Sequence, residues 1–324
     1  MPTSDLIAKL DWLRAQINQR LQAIVLPEQP SSLYQPLRYS LKAPGKRLRP
    51  ILTILVGETL GAALDDLWNP ALSIEVLHTF TLVHDDIMDH ATQRRGRPTI
   101  HVKWDTNTAL LAGDALLALA YEILLSSPSQ LLARLGRELA QTMRDICAGQ
   151  ALDVDFEKQA QVTTTQYLDM IARKTGQLLG LACHFGALLA GVPKTTADTL
   201  RDFGIKLGQA FQVQDDLLEI TAETEQMGKS LISDISSGKK TYPVILVLQS
   251  MSVEEGRNWL TALQAVATDR SHIRHAFEKH NAIEGTRLMA EQLFAQARQQ
   301  LSSLPVAQRQ TLEDFIGLIA KRQS

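Results

Sequence analysis

The sequence has 324 residues, 45% of them hydrophobic and 5% aromatic, a composition that predicts a helical protein with a sizeable core. Its 33 basic and 35 acidic residues give a formal net charge of -2, which argues against a surface built for nucleic acid or anionic membranes. Only two cysteines are present, without metal-ligand spacing. This argues against a disulfide framework or a zinc site and fits a cytoplasmic protein.

The length alone would allow two domains, but no linker-like segment or change of composition separates them. The N-terminus lacks the basic and apolar segments of a signal peptide. The most apolar stretch, Leu178 to Val192, is broken by His184 and is shorter than the ~20 residues that a membrane span needs. We therefore predict a single domain over residues 1–324 without a transmembrane segment.

Apolar residues recur at helical spacing through most of the chain. Asn69-Pro70 marks the start of the helix that carries the first acidic cluster, and Thr163 caps another helix. A polar segment over 221–240 is typical of a flexible lid. The pattern predicts an all-α fold with helices over 3–26, up to 41, 51–63, 69–88, 104–125, 131–155, from 166, 198–220 and from 242, followed by weaker amphipathic helices.

The first acidic cluster, Asp85, Asp86 and Asp89, interrupts a run that otherwise reads as a buried helix. Asp85 and Asp89 are four residues apart, so they project from one helix face. The positions three and four residues away hold no Lys or Arg, and like charges at this spacing cost roughly 0.2–0.5 kcal/mol per pair. The pattern therefore predicts that these carboxylates bind a cation.

A second acidic cluster, Asp215, Asp216 and Glu219, repeats the four-residue spacing far downstream. Carboxylate pairs on rigid helices supply part of a coordination shell, which suits Mg²⁺ because this ion completes its six oxygens with water and substrate phosphates. We expect the two clusters to face each other and to bind a phosphate ester. The alternative is that each cluster is a solvated acidic face.

Basic residues concentrate where they would complement such a ligand. Four cations surround the Pro44-Gly45 turn, which opens a helix, and helix N-termini bind anions. This turn therefore predicts a diphosphate cradle, although taken alone it would read as a solvated basic loop. A second basic loop, Arg94 to Arg97, follows the first acidic cluster. Lys174 lies inside an apolar helix and needs an anion to neutralise it.

Five motifs, in this order, resemble those of the trans-isoprenyl (polyprenyl) diphosphate synthases. They are Gly45-Lys46-Arg47-Leu48-Arg49-Pro50, Asp85-Asp86-Ile87-Met88-Asp89, Arg94-Arg95-Gly96, Lys174-Thr175 and Gln212-Val213-Gln214-Asp215-Asp216. The match extends from about residue 42 to residue 243. The resemblance implies an all-α fold of roughly a dozen helices around a central active-site cavity, usually in a homodimer.

The resemblance also implies roles for individual residues. Three Mg²⁺ ions would be held by Asp85, Asp89 and Asp215, with Asp86, Asp216 and Glu219 in support. Isopentenyl diphosphate would be bound by Gly45, Lys46, Arg49, His78 and Arg95. The allylic diphosphate would be bound by Arg94, Lys174, Thr175, Gln212, Lys229 and Lys239. Glu219 departs from the aspartate that usually ends the second cluster, which lengthens one side chain near the third ion.

The implied reaction is a magnesium-dependent, head-to-tail condensation. The allylic C–O bond ionises, the isopentenyl double bond attacks the resulting cation, and a proton is lost. A terpene cyclase is one alternative, but it needs a single diphosphate site, so Lys46, Arg49 and Arg95 would be redundant. A non-catalytic synthase subunit is another alternative. Such a subunit could have lost an acidic cluster, whereas this chain has kept both.

The resemblance further implies what limits the length of the product. In the family, the residues just before the first acidic cluster form the floor of the cavity, and here these are Phe80 and Thr81. A single aromatic residue five positions before Asp85 resembles synthases that stop at geranylgeranyl diphosphate (C20). Farnesyl diphosphate (C15) and longer chains are the alternatives, as is an ordinary core role for Phe80.

Overall fold

The computed structural model describes residues 3–127, 130–221, 238–265 and 270–320. Its α-helices are α1 (Thr3–Gln22), α2 (Ser31–Leu41), α3 (Leu48–Thr59), α4 (Leu64–Met88), α5 (Ile100–Lys103), α6 (Thr106–Leu125), α7 (Leu132–Lys158), α8 (Thr164–Ile171), α9 (Gln177–Leu189), α10 (Lys194–Thr221), α11 (Tyr242–Gln249), α12 (Val253–Ala265), α13 (Arg270–Glu278), α14 (Ala282–Gln300) and α15 (Val306–Ala320). A π-helical turn, Ala172–Gly176, joins α8 to α9. Two-residue strands, β1 (Gln93–Arg94) and β2 (Arg97–Pro98), are the only ones in the described residues. The all-α prediction is confirmed.

Local sequence signals account for many of these helices. In α1, Leu6, Leu13 and Ile17 are fully buried at helical spacing, as the periodicity predicts. The predicted cap at Thr163 is confirmed: its hydroxyl accepts from the backbone N–H of Gln166 at 3.2 Å, and the Gln166 side chain accepts from the N–H of Thr163 at 2.9 Å. This reciprocal pair fixes the start of α8.

Two predicted boundaries are wrong for identifiable reasons. Helix α4 begins at Leu64 and runs through Pro70, because Leu67 and Trp68 bury the turn before the proline. The predicted helix over 104–125 is α6, which begins two residues later, at Thr106, and the separate short helix α5 precedes it. At the start of α6 the carboxylate of Asp105 accepts from the backbone N–H and the hydroxyl of Thr108, both at 2.8 Å, and caps the helix.

The chain divides into two compact units, and the prediction of a single domain stays a prediction. The first unit comprises Met1–Ala140, Leu181–Arg201 and Ser303–Phe315. Within it, α4 packs against α3 and α6. The hydroxyl of Ser73 donates to the backbone oxygen of Ala120 in α6 at 2.7 Å, which satisfies a buried donor at this contact.

The second unit comprises Gln141–Gly180, Asp202–Ser302 and Ile316–Ser324. Its core includes Val247, Ile273 and Phe277, all at most 3% exposed. Backbones approach closely where α9 begins: a Cβ at Gly204 would lie 2.5 Å from the backbone oxygen of Leu179. Small residues therefore determine how these helices pack within the unit.

Helix α6 is the one helix in the described part of the chain that is long and apolar enough to cross a membrane, judged by length and composition alone. The test rests on length and composition and does not contradict the prediction of no transmembrane segment, which stays a prediction. Only 39% of the apolar window is buried, and Leu110, Leu111 and Leu125 are between 42% and 60% exposed. A core helix of a water-soluble protein passes the same test, so the finding is weak evidence for a membrane span.

Candidate active site

The first acidic cluster lies at the end of α4, where Asp89 is the C-cap residue. The guanidinium of Arg94 contacts two of its carboxylates, with Nε 2.6 Å from Asp86 and Nη2 3.3 Å from Asp85. The helix spacing shows no basic partner for this cluster, but the fold supplies one. The partner comes from eight and nine residues downstream, beyond the spacing that a helix pattern tests.

A tight hairpin brings Arg94 back to α4. Strands β1 and β2 pair antiparallel, with Arg94 opposite Arg97, and the two residues between them, Arg95 and Gly96, have φ values of 54° and 72°. Two-residue hairpins of this twist require positive φ at both central residues, and Gly96 adopts it without a steric cost. The hairpin therefore holds adjacent arginines in a fixed place beside the acidic cluster.

The basic turn at the start of α3 contains two arginines with different roles. Arg47 has a φ of 53° and a 4% exposed side chain, and its Nη1 lies 2.6 Å from Oε1 of the equally buried Glu75. It also donates to Asn18 and to the backbone oxygen of Ala43, at 2.8 and 2.6 Å. Arg47 therefore stabilises the turn, and the predicted cradle of four cations loses this member.

Arg49 belongs to a second group, together with His78. The Nη1 atom of Arg49 donates to Nε2 of His78 at 3.0 Å, which requires that nitrogen to be unprotonated because a guanidinium cannot accept a hydrogen bond. Burial, and after it the charges of Arg49, Arg95, Arg94 and Arg47, lower the pKa of His78 well below its usual value. A neutral histidine is thus acted on by the charges of four arginines, of which Arg47 is paired with Glu75 and Arg94 with Asp85 and Asp86.

Gly45 and Arg95 lie together beside this region. The Nη1 atom of Arg95 donates to the backbone oxygen of Pro44 at 2.5 Å. A Cβ on Gly45 would lie 2.5 Å from the same nitrogen, so any larger residue would displace the arginine. Lys46, between the turn and α3, is exposed. The structure therefore brings Gly45 next to Arg95 and His78 next to Arg49, with the charges of both arginines acting on His78.

In the second unit, the carboxylate of Asp216 accepts hydrogen bonds from several residues. Asp216 is 4% exposed and accepts hydrogen bonds from the hydroxyl of Tyr167, from the backbone N–H of Tyr242 at 3.0 Å and from the Gln212 amide at 3.2 Å. The Thr175 hydroxyl donates to Oε1 of Gln212 at 3.1 Å. Predicted site residues Thr175, Gln212 and Asp216 therefore form one hydrogen-bonded chain.

Lys174 lies in the middle of the π-helical turn, a feature often found at functional sites. Its Nζ is 2.5 Å from Oδ2 of Asp153, and the Nζ of Lys239 is 3.9 Å from the same oxygen. The sequence places Asp153 in a helix that reads mainly as core, so its contact with the two lysines was missed. Its position one turn beyond Gly149 on α7 was the available signal.

The other predicted residues are placed as follows. Asp215 and Glu219 lie one turn apart on α10, as predicted. Phe80 is 6% exposed, and its ring centroid is 4.7 Å from that of His84. The Thr81 hydroxyl donates to the backbone oxygen of His78 at 2.8 Å. Lys229 lies outside the described residues. That the two acidic clusters face each other stays a prediction.

Comparison with known proteins identifies the family. The family model described as polyprenyl synthetase matches residues 30–280. The geranylfarnesyl diphosphate synthase of Natronomonas pharaonis is 35% identical over 328 residues, which cover 95% of each chain. The geranylgeranyl pyrophosphate synthase of Geoglobus acetivorans is 42% identical over 231 residues, 71% of this chain and 72% of the relative.

A solved structure agrees with these sequence matches. It is the polyprenyl synthase from Caulobacter crescentus CB15, complexed with calcium and isoprenyl diphosphate. It has a TM-score of 0.87 and 27% identity, and the match covers 99% of this chain and 98% of that one. The predicted resemblance and the isoprenoid synthase type of fold are confirmed. The chain therefore belongs to the polyprenyl synthetase family.

Proposed function

We propose that this prenyltransferase condenses isopentenyl diphosphate with an allylic diphosphate, head to tail and in the trans configuration, and releases diphosphate. The observation that carries the proposal is the contrast between two kinds of site. One region combines Arg49 and Arg95 with the neutral His78, whereas the end of α4 presents three carboxylates, two of which Arg94 contacts. A diphosphate in the first region would be bound but not activated, and one beside the carboxylates would be activated as a leaving group.

Isopentenyl diphosphate would bind in this arginine-rich region through Gly45, Lys46, Arg49, His78 and Arg95. The low pKa of His78 supports this role, because it keeps the ring neutral and able to accept from Arg49. Arg49 is thereby oriented before substrate arrives. Gly45 leaves space for Arg95, whose guanidinium is already directed by the backbone oxygen of Pro44.

The allylic diphosphate would bind to Arg94, Lys174, Thr175, Gln212, Lys229 and Lys239. The positions of Lys174 and Lys239 support this assignment, because both ammonium groups lie near the same carboxylate oxygen of Asp153. This carboxylate keeps the two ammonium groups close enough together to bind one diphosphate. The side-chain amide of Gln212 donates a hydrogen bond to Asp216, which orients it so that its oxygen accepts from the Thr175 hydroxyl. These dipoles would stabilise the positive charge that develops on the allylic carbon.

Asp85, Asp89 and Asp215 would hold Mg²⁺, three ions per site. Among the described residues, no three His, Cys, Asp or Glu side chains form a complete metal site. The donor set nevertheless fits, because Mg²⁺ takes one or two carboxylates and fills its octahedron with water and phosphate oxygens. Bound Mg²⁺ would supply the charge that makes diphosphate a leaving group. Asp86, Asp216 and Glu219 would act in support, Asp216 by orienting Gln212 and Tyr242.

We propose geranylgeranyl diphosphate (C20) as the main product, with Phe80 and Thr81 at the floor of the cavity. The named relatives include a geranylgeranyl and a geranylfarnesyl synthase, so a longer chain is the nearest alternative and farnesyl diphosphate the next. Burial of Phe80 against His84 supports a rigid wall at this position.

A homodimer and a cytoplasmic location are further parts of the proposal. The exposed apolar face of α6, with Leu110, Leu111 and Leu125, supports a second copy as its partner, because a protein rarely leaves such a face in water. Sedimentation equilibrium should give twice the mass of the chain, and a single-chain mass would refute the dimer.

Incubation of the purified protein with isopentenyl diphosphate, magnesium and dimethylallyl, geranyl or farnesyl diphosphate tests the reaction. We expect linear prenyl diphosphates, and no product when the metal is chelated. A cyclic hydrocarbon formed from the allylic substrate alone would show a terpene cyclase. No turnover of any substrate would show a non-catalytic subunit.

A further inference from the structure

The π-helical turn that carries Lys174 packs against α7 at Gly149, a position without a side chain. A Cβ on Gly149 would be 2.4 Å from the backbone nitrogen of Lys174 and 2.9 Å from its Cα. It would also be 2.9 Å from the Cβ of Arg173. These atoms belong to the backbone or its first side-chain carbon, so no rotation of a flexible side chain can relieve the contact. The absence of a side chain at Gly149 therefore determines how closely the turn approaches α7.

The same turn also packs closely against α10. A Cβ on Gly208 would lie 2.6 Å from the Cα of Gly176, the last residue of the turn. The Gln209 amide donates to the backbone oxygen of Leu168 at 2.8 Å, just before the turn begins. Close backbone contacts with both α7 and α10 thus leave the turn little freedom to move without loss of packing.

We propose that Gly149 is a positioning residue for the allylic diphosphate site, acting through the backbone of Lys174. The proposal rests on the proposed function, since it assigns the ammonium of Lys174 to that substrate. Gly149 and Asp153 lie one turn apart on α7, so one face of this helix fixes both the backbone of Lys174 and, at 2.5 Å, its ammonium. Glycine weakens a helix relative to alanine, and here the close approach explains its presence.

The displacement caused by a single methyl group follows from the distance. A Cβ contact is essentially never below 3.0 Å and is ordinary from 3.4 Å, so the 2.4 Å approach to the Lys174 nitrogen requires a shift of at least 0.6 Å and of 1.0 Å to reach ordinary contact. A misplacement of about 1 Å at a substrate-positioning group costs up to about a hundredfold in rate or affinity. Gly149→Ala should therefore raise the KM for the allylic diphosphate on the order of tenfold to a hundredfold and leave the KM for isopentenyl diphosphate near its original value.

The chain offers two matched controls. Gly204→Ala introduces a methyl group 2.5 Å from the backbone oxygen of Leu179, a similar intrusion in the same unit but outside the π-helical turn. Gly136→Ala lies on α7, where a Cβ meets no atom within 4 Å. Both should keep the two KM values of the original protein, even if Gly204→Ala lowers the melting temperature. Gly208→Ala reaches the turn from α10 and should act like Gly149→Ala.

The experiment combines steady-state kinetics for both substrates with calorimetric binding of farnesyl thiodiphosphate, an allylic analogue that does not ionise. Equal KM and Kd values for Gly149→Ala and Gly204→Ala would overturn the proposal. So would a failure of both Gly149→Ala and Gly208→Ala to fold while Gly204→Ala folds, because the contacts would then serve folding alone. If the original protein binds the analogue but elongates nothing, the reaction is refuted, while weaker analogue binding by Gly149→Ala would still support the positioning role.

Discussion

The substitution Glu75→Gln should destabilise the protein far more than the same change in an exposed ion pair. Glu75 and Arg47 have side chains that are 3% and 4% exposed, with 2.6 Å between the charged atoms. Glutamine keeps the shape of the glutamate but removes its charge, so the guanidinium of Arg47 stays buried without a counterion. Its bonds to Asn18 and to Ala43 offer only neutral oxygens in return.

The expected magnitude follows from the geometry. At 2.6 Å and an effective dielectric constant of about 20, two unit charges attract by about 6 kcal/mol. Part of this attraction offsets the desolvation of both groups, and removal of one member of a buried pair typically costs about 3–5 kcal/mol. We expect a loss in that range for Glu75→Gln.

Urea unfolding, followed by far-ultraviolet circular dichroism, measures the loss. Glu284→Gln is the control, because its pair with Arg287 has the same 2.6 Å separation but side chains that are 45% and 51% exposed. That variant should lose at most about 1 kcal/mol, since exposed pairs contribute little. If Glu75→Gln lost no more free energy of unfolding than Glu284→Gln, the claim that burial strengthens the Arg47–Glu75 pair would be refuted.

Three further predictions address metal binding, product length and pH. Asp85→Asn and Asp89→Asn should lower kcat on the order of a hundredfold to a thousandfold in a protein that still folds, although Asp85→Asn also weakens the contact with Arg94, and near-normal turnover at saturating magnesium would remove them as ligands. Phe80→Ala should shift the products to longer chains on chromatography, and an unchanged distribution would remove Phe80 from the floor. Burial, partly opposed by Glu138, lowers the pKa of His184, so the unfolded chain binds its proton first and stability should fall as the pH drops below about 6.5. His184→Leu should reduce this slope in urea unfolding by up to about 1.4 kcal/mol per pH unit, and an identical slope would contradict the assignment.

Much of the fold was predictable because its signals are local. The spacing of Leu6, Leu13 and Ile17 gives α1, and the Thr163 capping box gives the start of α8. The acidic residues at the end of α4 were also visible as an exception to a buried pattern. Each of these signals lies within a few turns of the chain and needs no knowledge of what packs against it.

The parts that were missed depend on contacts between distant residues. Arg47 and Arg49 are two residues apart in the same basic motif. Arg47 forms a buried ion pair with Glu75, whereas Arg49 contacts His78. Arg94 reaches Asp86 only because a hairpin reverses the chain. No sequence pattern shows which cation of a cluster is buried.

The π-helical turn was missed for a related reason. Its composition is compatible with an ordinary helix, and the wider turn becomes apparent only where α7 and α10 approach it with glycines. Asp153 likewise reads as one polar residue of a core helix until Lys174 is placed 2.5 Å away. The chemistry of this region therefore rests on packing that a single sequence does not reveal.

The measurement that tests the account most directly compares the KM of both substrates in Arg49→Ala and Lys174→Ala. Loss of one charged hydrogen bond costs about 1.5–3 kcal/mol, which is roughly tenfold to a hundredfold in affinity. Arg49→Ala should raise the KM for isopentenyl diphosphate by that factor and spare the allylic substrate, whereas Lys174→Ala should do the reverse or lower kcat. Equal effects of either variant on both substrates would contradict the division into two diphosphate sites.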